Sequence, residues 1–135
     1  MRLKQKTLSS RPVTLITAAL ALFWFGANDA IRADDFGPLL GRWQRIDGGY
    51  VIEVSRIQAD GQLDAGYFNP RPINVAHARA SAYGEKIKIE LELRDKGYPG
   101  SAYTLVYDAE KDVLIGYYYH APTRQNIDVL FVRIR

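Results

Sequence analysis

The chain has no cysteine. That excludes disulfides, thiolate metal centres and a bacterial lipid anchor on a cysteine. Histidine is nearly as scarce. The two present, His77 and His120, supply neither the number nor the spacing of ligands that a zinc site requires. No glycine-rich phosphate loop, Gly-x-Ser-x-Gly or His-Glu-x-x-His occurs. Ser81 and Ser101 have no evident base. Glu90 and Glu92 share one face of a charged strand, whereas paired carboxylates for glycoside hydrolysis must flank a cleft. No catalytic residue, metal or cofactor is therefore expected, and the chain does not read as an enzyme.

Long apolar runs are also missing, with one exception. The stretch from Val13 to Ala27 is uncharged and mostly apolar, behind a basic start of Arg2, Lys4, Lys6 and Arg11. It is short of the roughly 20 residues a membrane span needs and has the layout of a secretory signal. Cleavage after Ala33 is expected, with Ala30 as the alternative cut and an uncleaved anchor as the other reading. The expected organisation is a signal peptide over 1–33, a leader over 34–40 and one domain over 41–135. The protein is then periplasmic or secreted, with no membrane span left after signal removal. Removing the signal also changes the charge. Five of the 18 basic residues but only Asp29 of the 15 acidic ones fall in 1–33, so the remainder carries a net charge of −1. Nothing in it makes the basic footprint of a nucleic-acid binder.

What the rest of the chain has is alternation. Residues 87, 89, 91 and 93 are Ile, Ile, Leu and Leu, and they interleave with Lys86, Lys88, Glu90, Glu92 and Arg94. Successive side chains of a strand point to opposite faces, so this strand buries one face and wets the other. The same pattern rejects an outer-membrane barrel, whose outside must be apolar. Turn signals divide the chain into eight strands: 41–46, 50–58, 62–69, 73–82, 86–94, 102–108, 113–120 and 126–134. Asp60–Gly61 marks a tight hairpin and Pro99–Gly100 a type II turn. No segment after Gly41 has a 3.6-residue period. The expected fold is all-β, an eight-stranded antiparallel up-and-down barrel. Expected inward sets are Leu63, Ala65, Tyr67 and Asn69; Tyr103, Leu105 and Tyr107; and Leu114, Gly116 and Tyr118. Ala76, Ala78, Ala80 and Ala82 share a face that lies either inside or under a neighbouring chain.

Gly41-x-Trp43 opens the first strand, and Asp60–Gly61–Gln62–Leu63–Asp64–Ala65–Gly66–Tyr67 forms the third. Over 41–67 these motifs resemble the avidin and lipocalin-like barrels. The resemblance implies that Trp43 closes one end of the barrel with Arg133 packed across it. It does not bring a biotin site. Arg45 stands where the family has an Asn, Asp47–Gly48–Gly49 where it has a Ser, and Trp43 is the only Trp after residue 33. Tyr67 and Asn69 alone keep the family's residue types.

An eight-stranded barrel is just wide enough to hold one small ligand or to fill itself with side chains. The first functional expectation is a small-ligand binder. Its mouth would be lined by Tyr67, Asn69, Tyr103, Tyr107 and Tyr118, and would take a small apolar or amphipathic molecule. The second is a protein-interaction module such as an envelope hydrolase inhibitor, using the proline-stiffened loops 68–72 or 121–125. The third is a filled structural barrel. If Arg133 faces inward, Leu130, Val132 and Ile134 form an outward apolar stripe, open to a homodimer contact or to the leader.

Overall fold

The computed structural model describes residues 32–135, and all of the expected 1–33 signal peptide except Arg32 and Ala33 lies outside them. A leading 3-10 helix, Ala33–Leu39, runs into nine strands: β1 Gly41–Arg45, β2 Val51–Ile57, β3 Leu63–Phe68, β4 Pro72–Ile73, β5 Val75–Tyr83, β6 Lys86–Asp95, β7 Tyr98–Asp108, β8 Val113–His120 and β9 Gln125–Ile134. They form one sheet in the order β4-β3-β2-β1-β9-β8-β7-β6-β5, with every pairing antiparallel. β1 thus joins the last strand to the second, and the sheet curls into a nearly closed barrel. Among the described residues no helix is long and apolar enough to cross a membrane.

Among the described residues there are nine strands where eight were expected. The segment expected as one strand over 73–82 is cut at Asn74. Before the cut, β4 folds back on the end of β3, with Ile73 opposite Tyr67 and Pro72 opposite Phe68. β4 ends the sheet, so the missing N–H of Pro72 costs no ladder bond. At the cut, the Asn74 N–H donates to the Asp95 carboxylate at 2.8 Å and its side-chain amide donates to the Arg94 carbonyl at 3.0 Å. A bulge between Val75 and His77 then restarts the ladder against β6.

One inward layer runs round the barrel. Ile89 pairs with Leu105, Leu105 with Gly116, and Gly116 with Val129. Ile87, Ile89, Leu91 and Leu93 are all buried, each contributing about 1.5–3 kcal/mol by leaving water. The alanine face divides: Ala78 and Ala80 are buried, Ala76 and Ala82 exposed. The bulge removes Ala76 from the inward register.

The barrel closes between β3 and β5 by little more than the Ala80 N–H donating to the Gly61 carbonyl at 2.8 Å. This contact needs glycine, since a Cβ on Gly61 would lie 2.5 Å from the Ala80 oxygen and 3.5 Å from the Phe36 ring. Phe36 and Leu39 of the leading helix are buried in the core, so the leader plugs this end.

Trp43 and Arg133 meet beside that plug. Trp43 is fully buried, its indole N–H donates to the Leu39 carbonyl at 2.9 Å, and the Arg133 guanidinium lies 4.1 Å over its ring. Arg133 donates to the carbonyls of Leu40 and Pro38, at 2.7 and 2.5 Å, and to both oxygens of Asp112. The Arg133 hydrogen bonds hold the Asp112 carboxyl below its ordinary value. A lowered folded-state pKa gives stability that is present above the unfolded value and lost as pH falls through the folded one. Acid unfolding is therefore expected to steepen below about pH 4. Asp112→Asn flattens that limb, as circular dichroism across an acid titration will show.

Candidate functional site

The end of the barrel opposite Trp43 is open. A pocket of about 480 Å³ lies there, lined by Arg45, Tyr50, Tyr67, Asn69, Tyr98 and Tyr118, with Gly97, His120 and Ile127 at its rim. Pockets of 300–1,000 Å³ are the usual size for small molecules. These side chains come from β1, β3, β7, β8, β9 and the turns between strands, so the site exists only in the closed barrel.

Below the pocket the interior is filled. The Tyr67 and Tyr103 hydroxyls are 3.0 Å apart, and Arg45 Nη1 donates to Tyr103 Oη at 3.2 Å. The Tyr103 ring lies 4.6 Å from that of Tyr118 and 5.3 Å from that of Phe131. This aromatic floor separates a shallow mouth from the apolar core.

Arg45 is a buried cation, only 8% exposed. Its charge is met by Asp47, to which Nε and Nη2 donate at 2.6 and 2.7 Å, and its plane lies 4.2 Å from the Tyr50 ring centre. A fork-to-fork pair of this kind is among the stronger side-chain contacts. It raises the Arg45 pKa further and holds the Asp47 carboxyl below its ordinary value. Burial pushes the Tyr103 hydroxyl up to about 12 and also raises Tyr67 and Tyr118. These phenols stay protonated at neutral pH, so they act as hydrogen-bond donors and not as bases.

Of the five expected mouth residues, Tyr67, Asn69 and Tyr118 line the pocket. Tyr103 is its floor, fully buried. Tyr107 is at the other end, 6.0 Å from the Trp43 ring and donating to Asp112 at 3.0 Å. It has the inward parity of Tyr103, but four residues of strand span about 13 Å. The residues that sequence reasoning missed are Arg45, Tyr50, Tyr98, His120 and Ile127. Four of them had a signal in parity with buried neighbours: Arg45 with Trp43, Tyr50 with Ile52, His120 with Tyr118, Ile127 with Val129. Tyr98 had none. A register shift facing Glu92 and Arg94, with Gly100 at φ 87°, reverses the alternation before Ser101. The bulge aims Tyr98 inward, where it accepts a 2.6 Å hydrogen bond from the Asn69 amide.

Both proline loops flank this mouth. In the β8–β9 turn the Arg124 N–H donates to the Ala121 carbonyl at 3.3 Å and Arg124 itself has φ 54°. This is a left-handed position that costs a non-glycine residue on the order of 1 kcal/mol. Arg124→Gly is expected to gain up to about 1 kcal/mol by thermal melt.

Comparison with family models, curated proteins and solved structures finds no match to this chain.

Proposed function

We propose that the protein is an exported small-ligand-binding barrel of the lipocalin and avidin-like kind, with its site in the mouth above Tyr103. The observation that carries this reading is the convergence of four tyrosines, Asn69 and a neutralised Arg45 on one pocket of about 480 Å³ over a sealed floor. Tyrosine offers an apolar ring for contact and a hydroxyl for orientation. The filled interior restricts the ligand to the mouth, so it is small and partly exposed when bound.

Mass measurement tests the proposal. Protein purified from its own host is weighed under native and then denaturing conditions. A small molecule lost on denaturation supports the ligand reading. A clean apo mass with a protein retained on pull-down supports the interaction module instead. A specific observation favours that second reading. The 68–72 and 121–125 loops stand on the same rim, each presenting an exposed arginine, Arg71 or Arg124.

A homodimer is the companion proposal. Leu130, Val132 and Ile134 are half-buried on the outward face of β9, and the neighbouring Ile46 and Ile115 are exposed. Contiguous apolar surface of this sort marks interfaces more often than isolated residues do. Light scattering of the wild type and of Leu130→Glu distinguishes dimer from monomer.

A further inference from the structure

The hydrogen bonds of the mouth do not balance, and the imbalance has a sign. A guanidinium has five N–H groups. Arg45 uses one on Tyr103 and two on Asp47, which leaves two. The Tyr67 and Tyr103 hydroxyls carry two protons and share one bond. Either hydroxyl can donate in that bond, so one phenol proton of the pair is left over, and Tyr67 is the member of the pair that lines the pocket. Tyr98 accepts from Asn69, so its own O–H is also uncommitted. The phenol oxygens of the mouth accept as well as donate. Beyond them the lining adds the Asn69 side-chain carbonyl as an acceptor. The His120 ring is tied through Nδ1 to Thr123 Oγ1 at 2.8 Å. The deep end of the mouth is rich in donors and carries no net charge, because Asp47 offsets Arg45.

The walls are flat. The Tyr67 and Tyr98 rings meet edge to face with centroids 6.2 Å apart. Tyr118 and His120 continue the aromatic lining, with ring centroids 6.1 Å apart. Aromatic groups add edge-to-face or offset contacts to such walls. Every buried side-chain N and O among the described residues has a partner, and an acceptor on the ligand gains by meeting the N–H and O–H groups that have a proton to spare.

Building on the small-ligand reading above, we infer that the mouth takes a small planar aromatic or conjugated molecule whose carbonyl or carboxylate oxygen faces Tyr67 and Arg45. The oxygen is recognised by donor geometry, so a neutral carbonyl serves as well as a carboxylate. The ring lies among Tyr50, Tyr98 and Tyr118, and the far end of the molecule stays at the open rim.

Four probes of similar size separate the alternatives: acetophenone, benzoate, ethylbenzene and benzylamine. Each is titrated into the full-length protein while tyrosine ring resonances are followed by NMR. The Trp43 indole, at the opposite end, is the internal reference. Acetophenone and benzoate are expected to shift Tyr67, Tyr98 and Tyr118 and to bind about two- to tenfold more tightly than the other two, the span one hydrogen bond provides. Tyr67→Phe is expected to remove that preference and leave ethylbenzene affinity unchanged. Tyr98→Phe is the second variant, at a half-exposed position, for use if Tyr67→Phe does not fold. Ethylbenzene or benzylamine binding in the mouth as tightly as acetophenone would overturn the ligand class and leave the mouth reading standing. No shift at any mouth tyrosine with any probe at millimolar concentration overturns both.

Discussion

Trp43→Ala lowers the unfolding free energy by about 3–5 kcal/mol, the range for truncating a buried large aromatic. Three losses combine at this one position. The side chain is fully buried in the middle of β1, and its removal opens a cavity that the barrel cannot collapse, because β2 and β9 hold the flanking backbone on both sides. The Leu39 carbonyl loses its donor at 2.9 Å. Arg133 loses the ring over which it lies, and with it the packing that orients its bonds to Leu40, Pro38 and Asp112. Urea denaturation measures the loss. Trp43→Phe separates the contributions: it keeps most of the buried area, drops the indole N–H, and should cost about 1–2 kcal/mol. A Trp43→Ala protein within 1 kcal/mol of wild type removes Trp43 from the closing of the barrel. The mouth resonances should move little in either variant, since the aromatic floor stands between the two ends.

Alternation made most of the barrel legible. The inward face of β6 can be read directly from residues 86–94, and the inward sets of β7 and β8 follow from Tyr103, Leu105, Leu114 and Tyr118. Parity fails wherever the ladder carries an extra residue. The bulge before His77 ejects Ala76 and leaves Ala78 and Ala80 inside, and the irregularity at Gly100 aims Tyr98 inward against its count. Neither bulge has a signature that distinguishes it from an ordinary turn signal. Parity also says nothing about height. Tyr103 and Tyr107 share a face, yet one is the floor of the mouth and the other braces Trp43. The leading segment was hidden for a different reason. Asp34–Asp35–Phe36–Gly37–Pro38 has no period, and only the geometry of the barrel end shows that Phe36 and Leu39 complete the core. Arg45 is the pocket residue that composition argues against. A cation on an inward face is tolerable only because Asp47, two residues on, returns to meet it.

Gly116→Ala is expected to destabilise by about 3 kcal/mol, the upper end of the range for overpacking a core. Gly116 sits inward on β8, opposite Leu105 of β7 and Val129 of β9. A Cβ placed there runs into the Thr104 carbonyl oxygen and comes within 3.0 Å of the Leu105 Cα. Both obstacles are main chain in a paired strand, so no rotamer change relieves them. The methyl can be fitted only by spreading β7 from β8. That spreading strikes the floor of the mouth two residues away, where Tyr103 pairs with Tyr118 and their rings are 4.6 Å apart. Stability and mouth geometry should therefore change together: a lower urea midpoint, displaced Tyr118 resonances, and weaker binding of acetophenone. Gly49→Ala is the control, because a Cβ there meets nothing within 4 Å, and its effect should stay within about 0.5 kcal/mol. If Gly116→Ala behaves like that control, β7 and β8 lie further apart than this packing requires, and the stacked tyrosines lose the support that makes them a floor.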